Sequence, residues 1–324
     1  MKSFTYFLNR CVFFLVFLFP IFIYAQTPPD EFLGHKVGAD RKLADWNQIT
    51  DYFNKLDEES HKIKVFKIGE STVDNKPLIM AVITSEENMN NLDTYTGITK
   101  KLRNARDLTP QKARELSKKG KLILLITCNI HSTETASSQM SMEFAYNLVT
   151  GKTPFVAGKV LEDVIILLVP SLNPDGEQMV TEWYRKWVGT EYEGGRMPWL
   201  YHHYAGHDNN RDWFMMNLEE TRAVNDVLYH DWIPQVHIDE HQMGSTRARL
   251  FIPPFDNPPN PYVHPLIWRG IALCGMNMAY DLQKNDFPGV VYGRIYTGWW
   301  DGSCDNTPWL HNTVSLLSEM ASVN

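Results

Sequence analysis

The chain has 324 residues, with hydrophobic residues at 44% and charged residues at 21%. That composition belongs to a globular protein able to bury a sizeable core, and excludes a disordered or fibrous chain. A formal net charge of -7 argues against nucleic acid as a partner, because such binders carry basic patches.

Residues 1–25 read as an export signal outside the fold. Lys2 and Arg10 precede the apolar run CVFFLVFLFPIFIYA, residues 11–25, with cleavage expected after Ala25. The run is shorter than the ~20 residues that span a bilayer, and no other segment is suited to crossing one. The expectation is a secreted or periplasmic protein with no stable membrane insertion after signal removal, and a single catalytic domain over residues 26–324. Cys11 leaves with the signal, so Cys128, Cys274 and Cys304 allow at most one disulfide.

The predicted elements follow in chain order. An amphipathic helix covers Ala44 to Leu56, with Trp46, Ile49, Tyr52, Phe53 and Leu56 on one face. Strands at Lys64–Ile68 and Pro77–Thr84 flank the turn-rich GESTVDNK, and Gln111 to Lys118 suits a short helix. KLILLIT, starting at Lys121, is a continuous apolar run, as a strand buried on both faces requires. CNIHSTE follows, then a helix from about Thr133 to Leu148. A second buried strand is Val164–Pro170, and Asn173-Pro174-Asp175-Gly176 reads as a turn. A helix over Leu218–Leu228, a strand over Ile233–Ile238, a helix over His264–Gln283 and an apolar strand over Val314–Leu317 complete the pattern. Alternating strands and helices predict an α/β fold: a three-layer sandwich around a mixed, mostly parallel sheet. The polar motifs lie where strands end, where such folds place their sites.

His131 follows a buried strand, and Glu134 lies three residues on, at the start of the expected helix, where positions i and i+3 share a face. His241 lies beyond another strand end. Two histidines and a glutamate, with a coordination position left open, make a catalytic zinc site. A rival reading takes His237-Ile238-Asp239-Glu240-His241 as the H-x-x-E-H zinc motif. That motif needs a helix to bring both histidines to one face. Pro234 and the β-branched run favour a strand instead, with His237 a sheet residue.

The order HSTE (131–134), SLNPDG (171–176), EWYRK (182–186), HDNNRDW (207–213), IDEHQ (238–242), GRIYTGW (293–299) and LLSEM (316–320) resembles the zinc carboxypeptidases, the carboxypeptidase A-like metallopeptidases. The resemblance runs from about Ile68 to the end of the chain. It implies hydrolysis of the C-terminal peptide bond of peptides or proteins, with one zinc ion per chain held by His131, Glu134 and His241. It further implies that Glu319 is the general base and that Arg185 stabilises the oxyanion. Asn210 and Arg211 would grip the substrate's free C-terminal carboxylate, a bidentate task that suits Arg. Tyr296 would close over the substrate, with Tyr292 as its competitor, and Asp208 would orient His131. The sequence departs from the family at Thr133, where Arg is frequent, and it stops five residues after Glu319, where the family has a further helix, so a truncated domain is one reading. Two other classes stay open: a zinc amidohydrolase on N-acyl or cell-wall peptides, and an inactive binding module.

Overall fold

Residues Pro77–Ile83 send alternate side chains to opposite sides of a sheet: Leu78, Met80 and Val82 join one hydrophobic cluster, Ile79, Ala81 and Ile83 another. Both clusters are covered by helices, so this strand is apolar throughout. The structure, a computed structural model, describes residues 26–152, 157–200, 208–246, 248–294, 296 and 298–322. The expected signal segment lies outside the described residues. No described helix is long and apolar enough to cross a membrane.

The strands are β1 (Ile63–Glu70), β2 (Pro77–Ile83), β3 (Leu122–Cys128), β4 (Val164–Val169), β5 (Val236–Met243), β6 (Leu250–Phe251), β7 (Val290–Val291) and β8 (Val314–Ala321). Between them run α1 (Pro29–Leu33), α2 (Trp46–Glu59), α3 (Glu86–Met89), α4 (Leu92–Arg103), α5 (Pro110–Lys119), α6 (Ala136–Thr150), α7 (Ala157–Asp163), α8 (Pro174–Trp187), α9 (Glu219–Asp226) and α10 (Pro265–Lys284). The sheet order is β1-β2-β4-β3-β5-β8-β6-β7. The central strands β4, β3, β5 and β8 are mutually parallel; β1 pairs antiparallel with β2, β2 with β4 and β6 with β8, while β6 and β7 are parallel. The expected mixed, mostly parallel sheet with helices on both faces is what forms. Helices α2 and α6 contribute to one cluster, and α9 with Trp213 to the other.

Helix α2 forms as its periodicity requires, with Trp46, Ile49, Tyr52, Phe53 and Leu56 all buried. Asp45 and Gln48 close a capping box at its start, satisfying two backbone N–H groups that the helix itself leaves open. The turn expected at Asn173–Gly176 is instead the start of α8. Asn173 caps it by accepting from the Gly176 N–H at 3.0 Å, and Pro174 fills the first turn, where its missing N–H is harmless. Helix α4 was not anticipated by apolar spacing. It is set by tertiary contacts such as Thr99 Oγ1, which donates to the Trp232 carbonyl at 3.1 Å. Cys128, Cys274 and Cys304 are all free thiols.

Arg185, near the end of α8, reaches back to this capping box. Its guanidinium donates to Asp45 Oδ2 at 2.5 Å, Gln48 Oε1 at 2.5 Å and the Leu43 carbonyl at 2.7 Å. An Asp45→Ala substitution should therefore lower unfolding free energy by about 1 kcal/mol, as loss of an N-cap does. Arg185→Ala should also lower it while leaving turnover of a peptide substrate within about twofold, since a lost oxyanion contact would remove ~10²-fold or more. Denaturant unfolding and kcat measured side by side check both.

Candidate active site

The parallel strands β3, β5 and β8 end on the same side of the sheet, and this gathers the site. Cys128 pairs with Glu240 across β3 and β5, and His241 pairs with Glu319 across β5 and β8. His241 and Glu319 thus stand side by side on one face. His131 comes from the loop that leaves β3.

That loop is a tight turn and not the helix start expected from the sequence. Helix α6 begins at Ala136, two residues beyond Glu134. The Glu134 N–H donates to the His131 carbonyl at 2.8 Å, so the turn, and not a helical face, brings the two side chains together. Asn129 explains it. Its φ is 57°, in the left-handed region that Asn tolerates, and its side-chain amide donates to the carbonyls of Ser132 and Glu134, at 3.3 Å each. Its N–H donates to Ser137 Oγ at 3.1 Å, fixing the loop to α6.

Glu134 reaches both histidines at once. His131 Nδ1 lies 2.9 Å from Oε1, and His241 Nδ1 lies 3.0 Å from Oε2. Oε2 also accepts from the Gln242 N–H at 3.1 Å. Each imidazole is backed on its other nitrogen by a carboxylate: His131 Nε2 is 2.9 Å from Asp208 Oδ1, and His241 Nε2 is 2.9 Å from Asp239 Oδ2. Asp208 is the residue expected to orient His131. Asp239 was missed, although its signal was present: positions i and i+2 on a strand share a face. Among the described residues, one ligand atom each from His131, Glu134 and His241 lies within 4.8 Å of the others, a spread that a single ion can bridge. Two imidazole nitrogens and a carboxylate oxygen are a donor set that fits zinc.

The electrostatics follow from this packing. Burial opposes charge on both histidines, yet Asp208 and Glu134 hold the His131 imidazole up to about 9, and Asp239 and Glu134 hold His241 well above its usual range. Burial would likewise raise Asp208, but its bonds from His131 and the Asn210 N–H, with Arg211 nearby, keep its carboxyl well below the ordinary value. Glu319 is pushed up, first by burial and also by the Glu134 charge, against the pull of His241 and His131. A carboxylate that holds its proton more readily is suited to general-base work.

The other expected site residues are placed as follows. Arg211 lies beside the cluster: Nη2 is 3.4 Å from Asp208 Oδ2, Nη1 donates to the Asn210 carbonyl at 2.9 Å, and the guanidinium lies 4.9 Å from the centre of the Trp300 ring. It is half exposed. Asn210 is buried; its Oδ1 accepts from the Cys304 N–H at 2.8 Å, and its Nδ2 is 3.5 Å from His241 Nε2. Tyr296 is hydrogen-bonded and packed in this structure. Its hydroxyl lies 2.8 Å from Asp305 Oδ1 and 3.0 Å from Asn306 Oδ1, and its ring packs on Phe255. Tyr292 is the exposed one of the two, at 48%. Arg185 is the clearest departure, because its guanidinium donates to Asp45, Gln48 and Leu43 and to none of the cluster residues. The H-x-x-E-H reading fails on geometry: residues 236–243 form a strand, and His237 is fully buried within the sheet.

Residues 49–244 match the family model described as zinc carboxypeptidase. No curated protein sequence matches the chain. Among solved structures, a metallo-carboxypeptidase from Burkholderia cenocepacia superposes with a TM-score of 0.56 at 15% identity, covering 85% of this chain and 60% of that one. Carboxypeptidase A from Helicoverpa armigera gives 0.59 at 13% identity, covering 91% and 71%. Thrombin activatable fibrinolysis inhibitor gives 0.58 at 14%, covering 92% and 71%. The chain therefore shares their fold and spans about 60–71% of the length of these structures. With the family model matching more than half of its residues, the chain belongs to the zinc carboxypeptidase family.

Proposed function

We propose that the chain is the catalytic domain of a metallocarboxypeptidase that removes the C-terminal residue from peptides or proteins. The observation that carries the reading is the convergence of His131 Nδ1 and His241 Nδ1 on the two oxygens of Glu134, with Glu319 beside His241 on the next strand. His131, Glu134 and His241 would hold the zinc ion. When bound, zinc supplies Lewis acidity, polarising the scissile carbonyl and acidifying water.

Glu319 takes the proton from the attacking water at its carboxylate and returns it to the leaving amine. Its carboxylate makes no hydrogen bond among the described residues, so both oxygens are available for that exchange. Arg211 supplies the recognition of a free carboxylate. Two of its five N–H groups face Asp208 and the Asn210 carbonyl, and the rest of its fork is open to a ligand. Asn210, buried and tied to Cys304, has only its Nδ2 to add.

Zinc uptake should be proton-linked. Because the His131 imidazole is held up to about 9, it carries a proton at neutral pH in the metal-free protein, and the ion must displace it. Affinity should rise with pH up to that value, by about tenfold per pH unit for each proton displaced. Calorimetry in two buffers of different ionisation enthalpy reads the proton count, and a count of zero contradicts the assignment.

Replacing Glu319 with Gln preserves shape and removes the base. Glu319→Gln should keep zinc and fold while kcat drops ~10²–10⁴-fold. Retention of more than about a tenth of kcat with zinc bound would exclude Glu319 as the base. Amidating a peptide's C-terminus should slow hydrolysis ~10- to 150-fold, the value of a charge-assisted contact of roughly 1.5–3 kcal/mol. Arg211→Ala should erase that difference. Equal rates on free and amidated peptides with the wild-type protein would point to an amidohydrolase instead.

A further inference from the structure

The alternation along β5 places His237, Asp239 and His241 on one face, each at most 2% exposed. Thr127 on β3 and Ser315 on β8 flank that face in register, opposite Asp239 and His237 respectively. Five polar groups then make one unbroken line. Ser315 Oγ is 2.8 Å from His237 Nδ1, and His237 Nε2 is 2.9 Å from Thr127 Oγ1. Thr127 Oγ1 is 2.7 Å from Asp239 Oδ1, and Asp239 Oδ2 is 2.9 Å from His241 Nε2.

The chemistry of the groups allows one direction for every proton. A carboxylate only accepts, so Thr127 must donate to Asp239. Its single proton is then committed, so it accepts from His237 and Nε2 must carry a hydrogen. Burial pushes the His237 imidazole down to about 4, so the ring is neutral and has one N–H. Nδ1 is therefore an acceptor, and Ser315 must donate to it. At the far end Asp239 Oδ2 accepts from His241 Nε2–H, which reserves Nδ1 for the Glu134 side: it carries a proton to Glu134 in the metal-free protein and frees its lone pair when that proton is displaced. The same buried cluster has a competing reading, since His237, Asp239 and Cys304 also bring ligand atoms within 4.8 Å of one another. Thr127 decides against a second metal there: its hydroxyl bridges His237 and Asp239, and Cys304 Sγ lies 3.9 Å from it.

We propose that Ser315, His237, Thr127 and Asp239 form a directed hydrogen-bond relay that fixes the tautomer of His241, with Nε2 protonated and Nδ1 presented to the metal. All four are positioning residues. The inference rests on the zinc assignment above and explains why the strand carries a histidine and an aspartate that no ligand role uses. Outer partners of metal-bound histidines fix ring orientation in this way and contribute to affinity.

The test uses zinc affinity, by chelator competition, and nitrogen chemical shifts of labelled histidines, each beside a melting curve. Asp239→Asn should weaken zinc ~10- to 100-fold, and the isosteric Thr127→Val about tenfold. Thr127→Ser, which keeps the hydroxyl, should bind within about twofold of wild type. In the wild-type protein, His237 should be neutral and protonated on Nε2, a reading that needs no variant and no metal. The relay is overturned if His237 proves protonated on Nδ1, if Thr127→Val and Asp239→Asn bind zinc as tightly as wild type, or if the protein holds a second zinc that His237→Phe removes. Failure of the wild type to bind any zinc would sink the metal assignment instead, and the His237 shifts would still decide the direction of the relay.

Discussion

Glu134 is one carboxylate shared between two imidazoles, and the rest of the site is arranged around that sharing. With one oxygen 2.9 Å from His131 Nδ1 and the other 3.0 Å from His241 Nδ1, it fixes the separation of two rings from distant parts of the chain. Three ionisable groups packed this closely and largely withdrawn from water need partners on every polar edge. Those partners are present. Asp208 and Asp239 occupy the outer nitrogens, and the Gln242 N–H takes part of the remaining capacity of Glu134.

The sheet makes this arrangement inexpensive to hold. Three parallel strands are held in register, β5 and β8 running on together past the end of β3, so a one-residue shift in any of them would turn its polar residue to the opposite face. In β5 the residues pointing one way are His237, Asp239 and His241, while Glu240 points the other way and accepts a hydrogen bond from Ser318. The two histidines are supported unequally. Asp239 is fully buried and sits on the same strand as its histidine, whereas Asp208 is 32% exposed and belongs to a separate loop. The His241 side is thereby built into the sheet. The His131 side depends on the Asn129 turn and on Asp208, which lies outside the sheet.

Much of this was readable from the residues. Continuous apolar runs gave β3 and β4, and helical spacing gave α2 with its buried face, because in both cases a single physical pattern dominates. The placement of His131 and Glu134 beyond the end of β3 was also visible in the order of the motifs, whereas His241, expected past a strand end, lies within β5 because that strand runs on to Met243. What escaped was set by contacts between distant segments. Glu134 is in a turn because Asn129 adopts a left-handed conformation and binds two loop carbonyls, which spacing does not reveal. Arg185 sits in a basic, aromatic stretch that reads equally well as a site residue, and only the packing of α8 against the start of α2 directs it to Asp45. Tyr296 is held by Asp305 and Asn306 for a similar reason. Helix α4 contains Thr94, Thr96, Gly97 and Thr99, poor helix formers whose conformation is decided by what they pack against.

Arg211 shows how the fold leaves one group only partly committed. Its guanidinium carbon lies 4.9 Å from the centre of the Trp300 ring, a contact that restrains the side chain without using its donors. Trp300 can take that position because residue 302 is glycine: a Cβ there would collide with the Trp300 ring and also press on Phe214. The same residue's neighbours, Ser303 to Asn306, anchor Asn210 and Tyr296. One short segment therefore sets three of the residues that border the cluster. It pins Asn210 beneath His241 and holds Tyr296 down, while stacking restrains Arg211 and leaves the edge of its guanidinium exposed. A restrained cation with donors to spare beside the His131–Glu134–His241 cluster would, under the proposed function, meet an anion pre-organised, since the ordering of a long side chain has been completed before any ligand arrives. That geometry, more than any single contact, is what would suit this surface to a free carboxylate under the proposed function.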